Sequence, residues 1–279
     1  MLQNTFCHMP GIGPKTERRL WSAGILSWRE GCERSGAVLP EHTAQSVAFH
    51  SAESIERLAR QDARYFHDRL PSNEHWRLFP QFRHSVAYLD IETTGLGPPN
   101  DYVTTIALYD GKRVRHYVHD QNMEDFRRDI EPYRLIVTYN GKTFDLPFLR
   151  ECLGVRLDQA HIDLRYVLRS LGYSGGLKGC ERQLGLDRGD LEGVDGYTAV
   201  LLWYDFLRSG NRRALETLLA YNVQDTVNLE TLMVTAYNMK LKQTALPGTR
   251  ALPAPSPAEN PFRADVRTIE KLRRRWGLA

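Results

Sequence analysis

The order of apolar and polar positions changes character twice along the chain. Up to about residue 80, apolar residues recur at helical spacing between turns. Pro10-Gly11-Ile12-Gly13-Pro14 reads as a turn, and Lys15–Ala23 as a short helix with Leu20 and Trp21 on its apolar side. Residues 41–70 predict one or two further helices with Val47, Ile55, Leu58 and Phe66 inward, and Pro71 and Pro80 then break the chain. From Ser85 the period shortens to two. Ser85–Glu92, Tyr102–Tyr109 and Arg113–Val118 read as strands, with Gly111-Lys112 suited to a tight hairpin between the last two. A helix over Met123–Tyr133 leads to a fourth strand, Arg134–Tyr139, and a short strand falls near Ala160–Asp163. Helices are predicted over about 145–153, 164–171, 177–185, 195–208 and 211–239. Three antiparallel strands, a helix, a further strand and more helices predict an α/β domain with a mixed sheet. Pro247, Pro253, Pro255, Pro257 and Pro261 mark a semi-extended linker. Asp265–Trp276 then predicts a helix with Val266, Ile269, Leu272 and Trp276 along one side. The expected organisation is a helical region over 1–83, an α/β domain over 84–240, and a Pro-rich linker with a basic helix over 241–279.

The chain has 279 residues, 42% hydrophobic and 25% charged, which excludes a wholly disordered protein. No apolar run approaches the roughly 18 residues of a membrane span. The first residues, MLQNTFCHMPGIG, lack the basic start and apolar core of a signal peptide. Cys7, Cys32, Cys152 and Cys180 are scattered and fit neither a disulfide framework nor a common zinc spacing. Four reduced thiols and a cytoplasmic location are expected.

Charge sharpens the three-part division. The net charge is +3, yet residues 1–85 carry +2, residues 86–238 carry −5 and residues 239–279 carry +6. An acidic middle raises the question of what its carboxylates hold. In Tyr88-Leu89-Asp90-Ile91-Glu92-Thr93-Thr94-Gly95, strand alternation projects Asp90 and Glu92 to one face and Leu89 and Ile91 to the other. Two adjacent carboxylates repel each other, and a divalent cation removes the conflict while gaining hard oxygen ligands. A solvated strand edge shows the same pattern. Asp145, where a helix begins after Tyr139-Asn140-Gly141, is equally a helix N-terminal acid. Tyr221 and Asp225, one helical turn apart, share a face, as an ordinary pair on an amphipathic helix would.

In this order the three stretches resemble the motifs of the DEDD exonuclease superfamily, whose domain has the ribonuclease H-like (DnaQ-like) fold. The first resembles its D-x-E motif, the second N-x-x-x-F-D, and the third the Y-x-x-x-D of the tyrosine-bearing (DEDDy) subgroup. More closely, YLDIETTGL, TYNGKTFDLPFL, His161-Ile162-Asp163-Leu164 and LKGCERQLGL are similar to the YprB-type ribonuclease H-like family, over about residues 84–238. The resemblance implies a ribonuclease H-like mixed sheet with flanking helices. It implies that Asp90, Glu92, Asp145 and Asp225 bind metal and that Tyr221 positions or helps activate the attacking water. Two-metal phosphodiester hydrolysis asks for such a set, and hard oxygen ligands favour two Mg²⁺ or Mn²⁺ ions over zinc. Thr93, Asn140, Lys142 and Phe144 are candidate substrate contacts, as is Leu96, and Asp163 a candidate support for a ligand or water.

Met9–Lys15 resembles the hairpin of a helix-hairpin-helix element, in which Gly11 and Gly13 let backbone N–H groups meet a phosphate and Lys15, Arg18 and Arg19 add charge. A compact turn packed on the rest of the chain reads the same way. Arg273, Arg274 and Arg275 are a candidate strand guide or a solvated helix end. The expected function is a metal-dependent 3′→5′ exonuclease releasing nucleoside 5′-monophosphates, with nucleic acid as partner, single-stranded DNA ahead of RNA, and no membrane. The alternatives are a non-catalytic nucleic-acid-binding module that keeps the fold, and a structure-specific endonuclease.

Overall fold

The computed structural model describes residues 1–246 and 250–277. Its first part is helical: α1 (Pro14–Ser22), α2 (Trp28–Arg34), α3 (Glu41–Ala59), α4 (Ala63–Arg69) and α5 (Phe79–Phe82). The buried stripe of α3 is Ala44, Val47, Ser51, Ser54 and Leu58. Ile55, expected inward, is instead 45% exposed. Small residues take its place because α2 approaches closely: a Cβ on Gly31 of α2 would lie 2.9 Å from Ser51 Oγ and 2.8 Å from the Phe6 ring.

The five strands are β1 (Val86–Thr93), β2 (Val103–Tyr109), β3 (Val114–Val118), β4 (Leu135–Thr138) and β5 (Ala160–Asp163), in the order β3-β2-β1-β4-β5. The first three pair antiparallel, while β4 and β5 extend the sheet parallel to β1. The hairpin turn at Gly111-Lys112 forms as expected, with Asp110 Oδ1 accepting from the N–H groups of Lys112 (3.0 Å) and Arg113 (2.8 Å). Between and after the strands lie α6 (Asp125–Ile130), α7 (Asp145–Leu153), α8 (Leu164–Ser170), α9 (Gly176–Gln183), α10 (Gly196–Ser209), α11 (Arg212–Lys242) and α12 (Val266–Trp276).

Strand alternation sorts the core. Leu89, Ile91, Ile106 and Leu108 pack on one face with Phe126, Phe148 and Leu149. Tyr88 and Ala107 lie on the other face with Val223, Val227 and Leu232 of α11. That second core is continuous with the buried residues of the first helices, including Trp28, Phe66 and Trp76. Burial of this apolar surface fixes α11, 31 residues long, across the sheet.

The Pro-rich segment, expected as a linker, is bound along α11 where it is described. Asn238 and Leu252 exchange two 2.8 Å hydrogen bonds, Asn260 Nδ2 donates to Ala220 O (2.8 Å), and Asp265 N donates to Thr217 Oγ1 (2.9 Å). Pro247 lies outside the described residues. In α12, Ile269 and Leu272 are buried, but Val266 and Trp276 are 43% and 47% exposed, because the helix rests on α10 and α11 through its middle turns.

Candidate active site

The carboxylates meet where β1 ends beneath α11. Asp90 is paired with Ala107 and Glu92 with Thr105, so the neighbouring strand presents small side chains beside them. The register shifts between Glu92 and Thr93, which ends regular pairing at this point. Ligand oxygens of Asp90, Glu92 and Asp225 lie within 4.8 Å of one another. Asp145, the first residue of α7, joins them by accepting from the Ile91 N–H (3.3 Å), between the two strand acids.

All four are deeply placed, and the energetics follow. Burial, then the charges of Asp145, Glu92 and Asp225, pushes the Asp90 carboxyl well above the usual carboxylate range. Burial, then Asp225, does the same to Glu92, against the pull of Lys178. Burial raises Asp145 to about 7, despite hydrogen bonds from its own N–H and that of Ile91. An all-oxygen donor set whose members repel one another is what a hard divalent cation fits.

Tyr221 and Asp225 stand one turn apart on the buried side of α11, as the helical spacing predicts. Burial, then the charges of Asp225, Glu92 and Asp90, raises the Tyr221 phenol well above its usual range. Four further residues complete the site. Asn222 Nδ2 donates to Asp90 Oδ2 (2.7 Å). Lys178 Nζ donates to the Tyr221 hydroxyl (2.7 Å). Arg188 is buried and pairs with both Asp225 and Glu181 (2.6 Å to the latter). Lys178 and Glu181 belong to the LKGCERQLGL stretch, the only signal the sequence offered for them.

The remaining candidates fall into three places. Asp163 accepts from the N–H groups of Asn140 (2.8 Å), Lys142 (3.0 Å) and Arg165 (3.0 Å), which clamps the turn that leads to Asp145. Asn140 is left-handed (φ 69°), and its Oδ1 accepts from Thr143 Oγ1 (2.9 Å) and from Arg165. Gly141 is required in that turn, since a Cβ would lie 2.2 Å from Thr138 Oγ1. Phe144 is half-buried against Phe148. Lys142 points its side chain into a different cavity, beside His67 and His75. Thr93 is buried, and its hydroxyl donates to Gly95 O (2.5 Å). Leu96 projects from the loop that follows, 91% exposed. Gly11 (φ 75°), Gly13 and Lys15 form an exposed turn at the start of α1, anchored by buried Met9 and Ile12, and are not part of the carboxylate cluster. Arg273 donates to Gly193 O and Arg274 pairs with Glu270 (3.2 Å), so two of the three tail arginines are engaged within the chain.

Residues 87–237, more than half of the chain, match the family model RNase_H_2 of the RNase_H superfamily. A comparison with curated proteins gives no match. Among solved structures, a family B DNA polymerase from the hyperthermophilic archaeon Pyrobaculum calidifontis is similar at 20% identity and a TM-score of 0.40, over 56% of this chain and 24% of that one. This chain thus spans about a quarter of that polymerase. Among the described residues, no helix is long and apolar enough to cross a membrane.

Proposed function

The chain belongs to the RNase H superfamily, with a mixed sheet and flanking helices, and on that basis we propose that it is a metal-dependent 3′→5′ exonuclease. It would release nucleoside 5′-monophosphates from single-stranded DNA, with RNA as the second substrate. The observation that carries this reading is the convergence of Asp90, Glu92 and Asp225, with Asp145 adjoining, in a buried cluster whose repulsion Arg188 and Lys178 offset only in part. The 3′→5′ polarity rests on the likeness of its motifs to those of tyrosine-bearing exonucleases.

These four acids would hold two Mg²⁺ or Mn²⁺ ions, which when bound neutralise the carboxylates, lower the pKa of water and stabilise charge on attacking and leaving oxygens. The protein's own groups do the positioning. Asn222 fixes the Asp90 carboxylate, and Arg188 fixes Asp225. Because its phenol is held protonated, Tyr221 acts as a hydrogen-bond donor that orients the attacking water, not as a base. Its oxygen is already engaged by Lys178, which leaves its own hydrogen to donate. Thr93, next to Glu92 on β1, and Asn140, in the turn before Asp145, would serve as strand contacts, and exposed Leu96 and half-buried Phe144 offer apolar surface for the terminal base.

A 3′-end-labelled single-stranded oligonucleotide with Mn²⁺ tests the reading. Mononucleotide release by the wild type, its loss in Asp90→Ala and an intact circular single strand are expected. An untouched linear strand, or a fully active Asp90→Ala protein, would overturn the nuclease assignment, with strand binding in EDTA leaving a non-catalytic module. A cut circle would make the protein an endonuclease.

A further inference from the structure

A second concavity lies on the far side of the turn that Asp163 clamps. It has a volume of about 530 Å³, within the roughly 300–1,000 Å³ of small-molecule sites. One wall comes from α4 and the residues after it, with Arg64, His67 and His75; the other comes from α7, β5 and α8, with Arg150, His161 and Tyr166. Asp90, Glu92 and Asp225 are not among its lining residues.

The charge of this cavity is the reverse of the carboxylate site. Lys142, Arg64 and Arg150 line it, against a single acid, Asp163, whose oxygens are already taken by three backbone N–H groups. Arg64 is held by Asp68 (2.7 Å), and Arg150 donates to Leu157 O (3.2 Å), so both guanidiniums are pre-positioned. Lys142 has no partner for its ammonium among the described residues. His75 and His161 add flat, neutral surface. Burial first, then neighbouring cations, lowers His75 to about 4 and His161 to about 3, so neither carries charge at neutral pH. His75 Nε2 donates to the carbonyls of His67 (3.1 Å) and Leu70 (3.2 Å), and His161 Nε2 pairs with Thr138 Oγ1 (2.9 Å). The imidazoles do not form a metal centre: among the described residues, the group of converging metal-ligand atoms is Asp90, Glu92 and Asp225. Tyr166 is 44% exposed at the cavity, and Leu146, Leu157 and Val167 give it apolar lining.

Lys142 and Arg150, which have no acid partner among the described residues, beside an exposed aromatic ring and apolar walls, suit a ligand that joins a phosphate to a flat heterocycle. We propose that this cavity binds a nucleoside phosphate, with Lys142 and Arg150 on the phosphate and Tyr166 against the base. Its source is either a free mononucleotide or one unit of a nucleic-acid strand. The site requires no turnover and so does not depend on the nuclease reading.

Calorimetry in EDTA tests it, using dAMP, AMP, inorganic phosphate and the dinucleotide pdApdA. One mononucleotide per chain is expected, bound at least about tenfold more tightly than inorganic phosphate. Lys142→Ala and Tyr166→Ala, both at exposed positions, should each weaken it about fivefold or more, while Tyr166→Phe and Asp90→Ala keep wild-type affinity. Tighter binding of the dinucleotide than of the mononucleotide identifies a strand unit, and weaker binding identifies the free nucleotide; both support the site. Equal affinity for phosphate and nucleotide, no binding at millimolar ligand, or full affinity in both alanine variants overturns the proposal. The nuclease assay leaves that result untouched, since no cleavage occurs in EDTA.

Discussion

Two buried clusters of charge in this chain are resolved in opposite ways. In the helical region, Arg77 sits between Glu17 (2.7 Å) and Glu74 (2.6 Å), and its guanidinium also donates to Thr5 Oγ1 (2.6 Å). Glu17 further accepts from Thr5 Oγ1 and the Phe6 N–H, so each buried charge there has close partners. Beneath α11, among the described residues, Asp90, Glu92, Asp145, Asp225 and Glu181 surround two cations, Arg188 and Lys178. Burying a charge is costly unless it is paired. The first cluster carries its compensation with it and holds the helical region together. The second is left short of positive charge, and the shortfall is about what divalent cations supply.

The largest expected effect falls on the second cluster. Asp90→Asn should reduce nucleotide release about 10⁴-fold, roughly 5 kcal/mol of transition-state stabilisation. It should leave unfolding in EDTA unchanged or raise its midpoint, since one repelling charge is gone. A loss of stability there would break the contrast. Arg77→Ala should behave in the opposite sense, costing about 3–5 kcal/mol of stability by urea unfolding, with no rescue by Mn²⁺. Tyr221→Phe should lower kcat by about 10²-fold with KM and stability nearly unchanged, because only the water-orienting hydroxyl is lost. The smallest effect is a matter of pH. His8, packed against Trp28 and Phe66, is kept neutral by burial, which lowers it to about 3. Its unfolded form takes up a proton below about 6.5, so the stability it contributes is present above that pH and is lost as pH falls toward 3. Between pH 6.5 and 5.5 this histidine alone should cost about 1 kcal/mol, and His8→Gln should show a shallower decline.

The two clusters were not equally legible. Asp90 and Glu92 follow from strand alternation, and Tyr221 with Asp225 from the helical turn, because each pair is local. The five strands and the mixed character of the sheet follow likewise from the run of periodicities, whereas the order β3-β2-β1-β4-β5 does not. Arg188 and Asn222 reach the site across sequence gaps, to Asp225 and Asp90, that no local period encodes. Lys178 and Glu181, three apart on α9, look like a solvated pair until α9 is packed beside α11. Arg77 and Glu17 meet across 60 residues, beyond any motif. Ile55 misled because apolarity outranked size in the pattern, whereas Ser51 and Ser54 won the interface by being small. Lys142 was placed by its neighbours in sequence beside Asp145, but its side chain lines the other cavity.

We propose that divalent cations complete the acids that Arg188 and Lys178 offset only in part. Thermal unfolding of the wild type and of an Asp90→Asn/Asp225→Asn variant, each in EDTA and in millimolar Mn²⁺, tests it most directly. A ligand that binds only the folded chain must raise its midpoint. Mn²⁺ should raise the wild-type midpoint by several degrees and leave the variant where EDTA leaves it. An unmoved wild type, or an equal rise in both proteins, would contradict it.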